Sequence, residues 1–233
     1  WCLLSSFHCR LGSSNRLVRV SFRQRTRSLC TTANHRPIDV HRSREDWQMT
    51  LNCYQIGWLV KFLLVDESKS KKYVLAVVQI EGTNTKLARR VLSDLRMKGQ
   101  QYIHFVNEGA SRKRRILSAI SEINFQCTFL VSEMKNEKQA RQDCLIALVK
   151  SLNESEEYLI IFDSDDNHLD NDKKVIRSAL QESGLTTSVT YRHERSRSQP
   201  LLWLPDILAW SFVRSGVWSK SLSRFEIRVQ RLQ

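Results

Sequence analysis

Apolar residues recur along this chain with two periods, and the switches between them mark strands and helices. Residues 58–65 (WLVKFLLV) read as a strand that runs into Asp66-Glu67. A polar turn to Lys72 separates it from Tyr73–Ile80 (YVLAVVQI), rich in β-branched residues, and the pair predicts an antiparallel hairpin. Thr85–Lys98 sets Leu87, Val91, Leu92 and Leu95 at helical spacing, and Ser111–Ile123 does the same with Ile116, Leu117, Ile120 and Ile123. Gln101–Phe105, between them, predicts a short strand. Further on come a strand over Phe125–Val131, a helix over Glu137–Leu152 and a buried strand over Tyr158–Phe162. That helix turns Ala140, Cys144, Ala147, Leu148 and Leu152 inward. A helix over Asp172–Glu182 stops at Gly184, and a strand follows over Thr186–Tyr191. Leu201–Arg214 is an apolar helix, and Arg224–Val229 predicts a last strand. A hairpin, then alternating helices and strands, then a closing helix predicts an α/β fold with a mixed sheet flanked by helices.

The pattern starts late. Residues 1–48 hold nine Arg and no Lys, opposed only by Asp39, Glu45 and Asp46, and their helical periodicity is poor. Such a composition fits a mitochondrial transit peptide. The sequence opens at Trp1 and its first Met is Met49, so a mis-called start is the favoured reading, with a targeting or nucleic-acid-binding arm behind it. The expected organisation is an ill-ordered leader, 1–48, and one domain, 49–233.

Charge narrows the class of partner. A formal net charge of +13 favours polyanions such as RNA, DNA or an acidic membrane surface over acidic proteins. No run of about 18 apolar residues is present to span a bilayer as a helix. None of the six cysteines forms a CxxC pair, which argues against a zinc ribbon, and a reducing, cytoplasmic compartment fits best. The absence of GxGxxG and Walker A motifs removes support for dinucleotide and nucleoside-triphosphate folds.

The candidate chemistry is in carboxylates. Two apolar strands end abruptly in acids, one at Asp66-Glu67 and one at Asp163-Ser164-Asp165-Asp166. Asp163 and Asp165 share a face if their strand continues through both. Asp206 stands alone in an apolar helical stretch, LLWLPDILAW, either as a helix cap beside Pro205 or for a chemical reason. Clustered acids repel unless a cation sits among them. Asp66, Asp163 or Asp165, and Asp206 therefore form a candidate site for Mg²⁺ or Mn²⁺, which prefer hard oxygen ligands. Such a site would support phosphodiester hydrolysis.

A first strand ending in Asp, a hairpin, a central strand ending in Asp and a last helix carrying Asp resembles the ribonuclease H-like arrangement. Val65-Asp66-Glu67-Ser68 and Leu201–Trp210 resemble, more narrowly, the first and last signatures of an uncharacterised ribonuclease H-like family. In that family the first strand ends in Asp-Glu-Ser and the last helix follows an LQxADxxAW pattern. Pro205 departs from it, standing where Ala is common. His104-Phe105 with Arg112–Ile120, the acids from Asp163 to Asp172, and Arg192-His193-Glu194-Arg195 resemble an actinobacterial-type branch. The likeness covers about residues 58–229, and it implies a fold more firmly than a reaction. In active members of the wider fold a further carboxylate usually supports the first Asp. Glu133 and Glu67 are the candidates here.

The expected function is a metal-dependent nuclease acting on RNA or DNA, with Asp66, Asp163, Asp165 and Asp206 as catalytic metal ligands. His104, Arg115, Arg192 and His193 would contact the substrate. The alternative is a non-catalytic nucleic-acid-binding or scaffold module on the same fold. His168 is a weaker candidate ligand, and Trp203 and Trp210, seven apart, are expected in the core. An EF-hand reading of Asp163–Asp172 fails for want of the sixth-position Gly and the closing Glu.

Overall fold

The predicted hairpin forms from β1 (Val60–Lys69) and β2 (Tyr73–Glu81), paired antiparallel with Val65 opposite Val77. The structure is a computed structural model that describes residues 60–70 and 72–232. The Arg-rich leader and the first residues of the expected domain lie outside them. After the hairpin come α1 (Thr85–Leu95), α2 (Ala110–Ile120), β3 (Gln126–Ser132), α3 (Glu137–Lys150) and β4 (Glu157–Asp163). They are followed by α4 (Leu169–Glu182), β5 (Val189–Glu194), α5 (Trp203–Val213), the single turn α6 (Val217–Lys220) and β6 (Glu226–Leu232).

One mixed sheet of six strands results, in the order β5-β4-β1-β2-β3-β6. β2 runs antiparallel to both its neighbours, whereas β1–β4, β4–β5 and β3–β6 are parallel pairs. The chain is therefore α/β with helices on both faces. Both faces of β1 are buried, which is why its sequence reads as a continuous apolar run. Leu64 and Ile161 pack with Leu92, Ile116 and Leu208 of α1, α2 and α5. Leu63, Val65, Ile160 and Phe162 pack on the opposite side with Cys144 and Leu148 of α3 and Ile176 and Leu180 of α4. Among the described residues no helix is long and apolar enough to cross a membrane.

Several boundaries differ from the sequence pattern, among them β1, expected to end at Val65, which runs on through Asp66 to Lys69. Gln101–Phe105 makes no strand. Ile103 and Phe105 are buried, but the Phe105 N–H donates to the Asp206 carboxylate instead of to a neighbouring strand. α4 begins at Leu169, before the expected Asp172, because Asp170 and Asp172 fall in its first turn, where acids favour the helix dipole. β5 spans Val189–Glu194 where the pattern places a strand over Thr186–Tyr191, so it starts later and runs on through His193.

Gly184 ends α4 with φ +70°, and a Cβ there would meet no atom within 4 Å. Its cost is thus purely conformational. Gly184→Ala is expected to destabilise by about 1–2 kcal/mol in urea unfolding, with an unchanged m-value.

Candidate active site

Parallel pairing of β1 and β4 is registered through Val65 opposite Phe162, which brings Asp66 and Asp163 side by side one residue further on. Val65 and Phe162 point toward α3 and α4. By alternation, Asp66 and Asp163 point to the other face, where α5 lies. Asp206 comes from the first turn of α5. The three acids line one cleft of about 400 Å³, together with Tyr102, His104, Arg195, Ser196 and Arg197.

Each carboxylate is held. Asp66 Oδ1 accepts from the Glu67 N–H at 2.8 Å. Asp163 Oδ1 accepts from the Ser164 and Ser196 N–H groups, each at 3.1 Å, which ties the β5–α5 loop to the site. Asp206 Oδ2 accepts from the Phe105 N–H at 2.9 Å and lies 3.5 Å from His104 Nδ1. The cap reading of Asp206 therefore fails: the N–H it satisfies belongs to another segment, not to its own helix.

The charges are poorly compensated. Among the described residues neither Asp66 nor Asp163 pairs with a Lys, Arg or His side chain. Burial pushes the Asp66 carboxyl well above the usual range, and Glu67, Asp206 and Asp163 push it further. Burial also raises Asp163, against hydrogen bonds from Ser196 and Ser164 that lower it. The Asp206 carboxylate raises the His104 imidazole above its ordinary value, against partial burial.

Hard, anionic oxygen donors without a cationic partner fit Mg²⁺ or Mn²⁺ by chemistry and by charge. As placed, no three His, Cys, Asp or Glu groups among the described residues stand close enough to share an ion. The donor set fits; its side chains are not drawn together around a centre.

The other sequence candidates lie elsewhere. β4 stops at Asp163, so alternation does not carry through to Asp165. Asp165 instead lies 3.6 Å from Lys69 and 3.7 Å from His168, which in turn lies 3.6 Å from Glu137. These contacts keep His168 and Asp165 together at the α3 side of the sheet. Arg115 is exposed on α2 and does not line the cleft. Arg192 is held 2.5 Å from Glu194. His193 is a core residue: the extension of β5 aligns it with Val189 and Tyr191, its side chain is 6% exposed, and its ring stacks on Phe162 at 5.1 Å. Of the two proposed supporting acids, Glu67 lines the cleft and Glu133 does not. Glu67 points back to Arg141 at 2.9 Å, and Glu133 pairs with Lys72. Trp203 is buried as expected, donating from Nε1 to the Ser196 carbonyl at 2.8 Å.

Sequence reasoning missed the support behind the site. Arg141, 2% exposed, forks onto Asp172 with Nε at 2.9 Å from Oδ1 and Nη2 at 2.7 Å from Oδ2. Its Nη1 also reaches Glu67 Oε2 and the Tyr73 hydroxyl, each at 2.9 Å. One guanidinium thus joins β1, β2 and α4 directly behind Asp66. Its one signal was a charge on the inward face of a helix, between Ala140 and Cys144.

No protein-family model matches the chain, and no curated protein matches it either.

Proposed function

We propose that this chain is a divalent-metal-dependent phosphodiester hydrolase of ribonuclease H-like fold acting on nucleic acid. The observation that carries the reading is that Asp66, Asp163 and Asp206 line one cleft and that, among the described residues, neither Asp66 nor Asp163 pairs with a cationic side chain. The strand order, with an antiparallel hairpin beside two parallel strands, supports the fold half of the proposal, as does the resemblance of Val65–Ser68 and Leu201–Trp210 to an Asp-Glu-Ser-opening family. The basic balance of the chain supports a polyanionic substrate.

Asp66, Asp163 and Asp206 would hold Mg²⁺ or Mn²⁺. A metal bound there supplies Lewis-acid stabilisation of phosphate charge and lowers the pKa of a water nucleophile. The chain's own residues do the rest. Water adds to phosphorus and gives up a proton to solvent, the P–O bond to the leaving oxygen breaks, and that oxygen takes a proton. His104, at the rim beside Asp206, is placed to give it. The Ser196 N–H fixes Asp163 against rotation, and Arg197 offers positive charge to a flanking phosphate, whereas Arg195 is paired with Asp166 at 2.8 Å.

A non-catalytic nucleic-acid-binding module is the second reading, favoured by the lack of any three-donor group drawn together as placed. Metal titration separates the two. At a hundredfold excess over Kd, Mn²⁺ should stabilise the protein by about 2.7 kcal/mol, roughly 5–10 °C in Tm. The same metal should switch on cleavage of oligonucleotides. An unchanged Tm together with intact oligonucleotides at millimolar Mn²⁺ would leave the binding module as the answer.

A further inference from the structure

We infer that the cleft takes one strand of nucleic acid with its bases unpaired, and not a duplex. The acidic floor gives the strand its direction only if the hydrolase reading holds; the choice of strand state comes from the rim.

The rim has two walls. One is the segment Tyr102–His104 between α1 and α2, and the other is Arg195–Arg197 between β5 and α5. The Tyr102 ring is half-buried against the core, and the Arg197 guanidinium lies over it, 5.8 Å from its centroid. The Tyr102 ring lies 6.1 Å from His104, tilted by 40°. Arg197 is exposed and, among the described residues, has no carboxylate within ion-pair distance. Its wall is fixed: the Ser196 N–H is bound to Asp163 and the Ser196 carbonyl to Trp203.

Three consequences follow. The cleft, at about 400 Å³, is near the small end of ligand pockets and has room for about one nucleotide, so a single strand reaches its floor at a time. A duplex keeps its base faces stacked inside, and offers Tyr102 only phosphates and groove edges. An unpaired strand offers a π-face at every base, which Tyr102 and a guanidinium can stack against whatever the sequence. Aromatic and Arg groups at the rim therefore match a strand whose base sits at the mouth, and its phosphate can face the acids beneath only where a metal ion stands between them.

The test uses the full chain carrying Asp66→Asn, so that binding is read without cleavage. Fluorescence anisotropy compares (dT) and (rU) oligonucleotides of about 12 residues with a duplex of equal length. Both single strands are expected to bind at least tenfold tighter than the duplex. Adding Tyr102→Ala should weaken single-strand binding by roughly tenfold and Tyr102→Phe should not, because stacking needs the ring alone. Adding Arg197→Ala should reduce the salt slope by about one. Duplex binding equal to or tighter than single-strand binding overturns the inference, as does an unchanged affinity in Tyr102→Ala. Wild-type protein with Mn²⁺ keeps the two readings apart. Cleavage of duplex alone removes this inference and leaves the hydrolase. Tight, Tyr102-dependent single-strand binding without cleavage of any substrate removes the hydrolase and leaves this inference.

Discussion

Asp66→Asn is expected to abolish metal-dependent cleavage and, at the same time, to make the metal-free protein more stable. Both halves come from the same crowding. Asp66 is half-buried beside Asp163 and Asp206, with Glu67 adjacent in sequence, and burial and all three acids oppose its ionisation. Its folded pKa is raised above the unfolded value. Ionised Asp66 is therefore a cost to the fold at neutral pH, and stability is regained as the pH falls through the folded pKa toward the unfolded one, near 3.9. Asparagine has the same shape without the charge, so it removes the cost. The gain should be about 1 kcal/mol, roughly 2–4 °C in Tm, measured without divalent metal. Removing the carboxylate also removes a metal ligand, so cleavage should fall by at least about a hundredfold and the Mn²⁺-induced rise in Tm should shrink. A variant that cleaves like wild type would remove Asp66 from the chemistry. A variant less stable than wild type in the absence of metal would mean that the repulsion around Asp66 is already compensated.

Most of the sheet was legible because its strands are buried on both faces. Leu63, Leu64 and Val65 leave no polar residue for three positions, and such a run has few alternatives to a central strand. Asp66 stands out as the first polar residue after that run, although β1 itself continues through it to Lys69. The same logic identified Asp163 and then overreached at Asp165. A two-residue period says which face a residue takes only while the strand lasts, and a Ser-Asp-Asp sequence gives no local mark of where it stops. His193 failed for the converse reason. Arg192, His193 and Glu194 look like a solvated loop by composition, but parallel pairing of His193 with Phe162 draws them into β5. Tyr102 left no signal because its role depends on two loops, about a hundred residues apart, meeting over the cleft.

Breaking the Arg141–Asp172 pair is expected to be the most damaging single change to the fold. The two side chains are 2% and 1% exposed, and the fork between them uses both nitrogen positions of the guanidinium edge. Taking both charges out of water is costly, and what offsets it is the pairing itself together with Glu67 and Tyr73. Arg141→Ala strands Asp172 and Glu67, and Asp172→Ala strands Arg141. Either should cost about 3–5 kcal/mol, lowering Tm by roughly 10 °C. A double replacement, Arg141→Met with Asp172→Leu, removes those two desolvated charges, leaves Glu67 only Lys69 at 3.5 Å, and should recover part of the loss. If the double variant is as unstable as the sum of the singles, the network contributes through packing and not through charge. The pH dependence gives an independent reading. Burial alone would raise the Asp172 carboxyl, but the contacts with His193 and Arg141 outweigh it and hold the group below its ordinary value. Asp172 therefore adds stability that is complete above the unfolded pKa, near 3.9, and is lost as the pH falls through the lower folded value. Asp66 has the opposite slope, so the two faces of the sheet end respond to acid in opposite senses. Unfolding of wild type, Asp66→Asn and Asp172→Asn from pH 3 to pH 8 should then separate them. Asp66→Asn should lose the rise in stability on mild acidification, and Asp172→Asn, already less stable at neutral pH, should lose much of the steep fall below about pH 4.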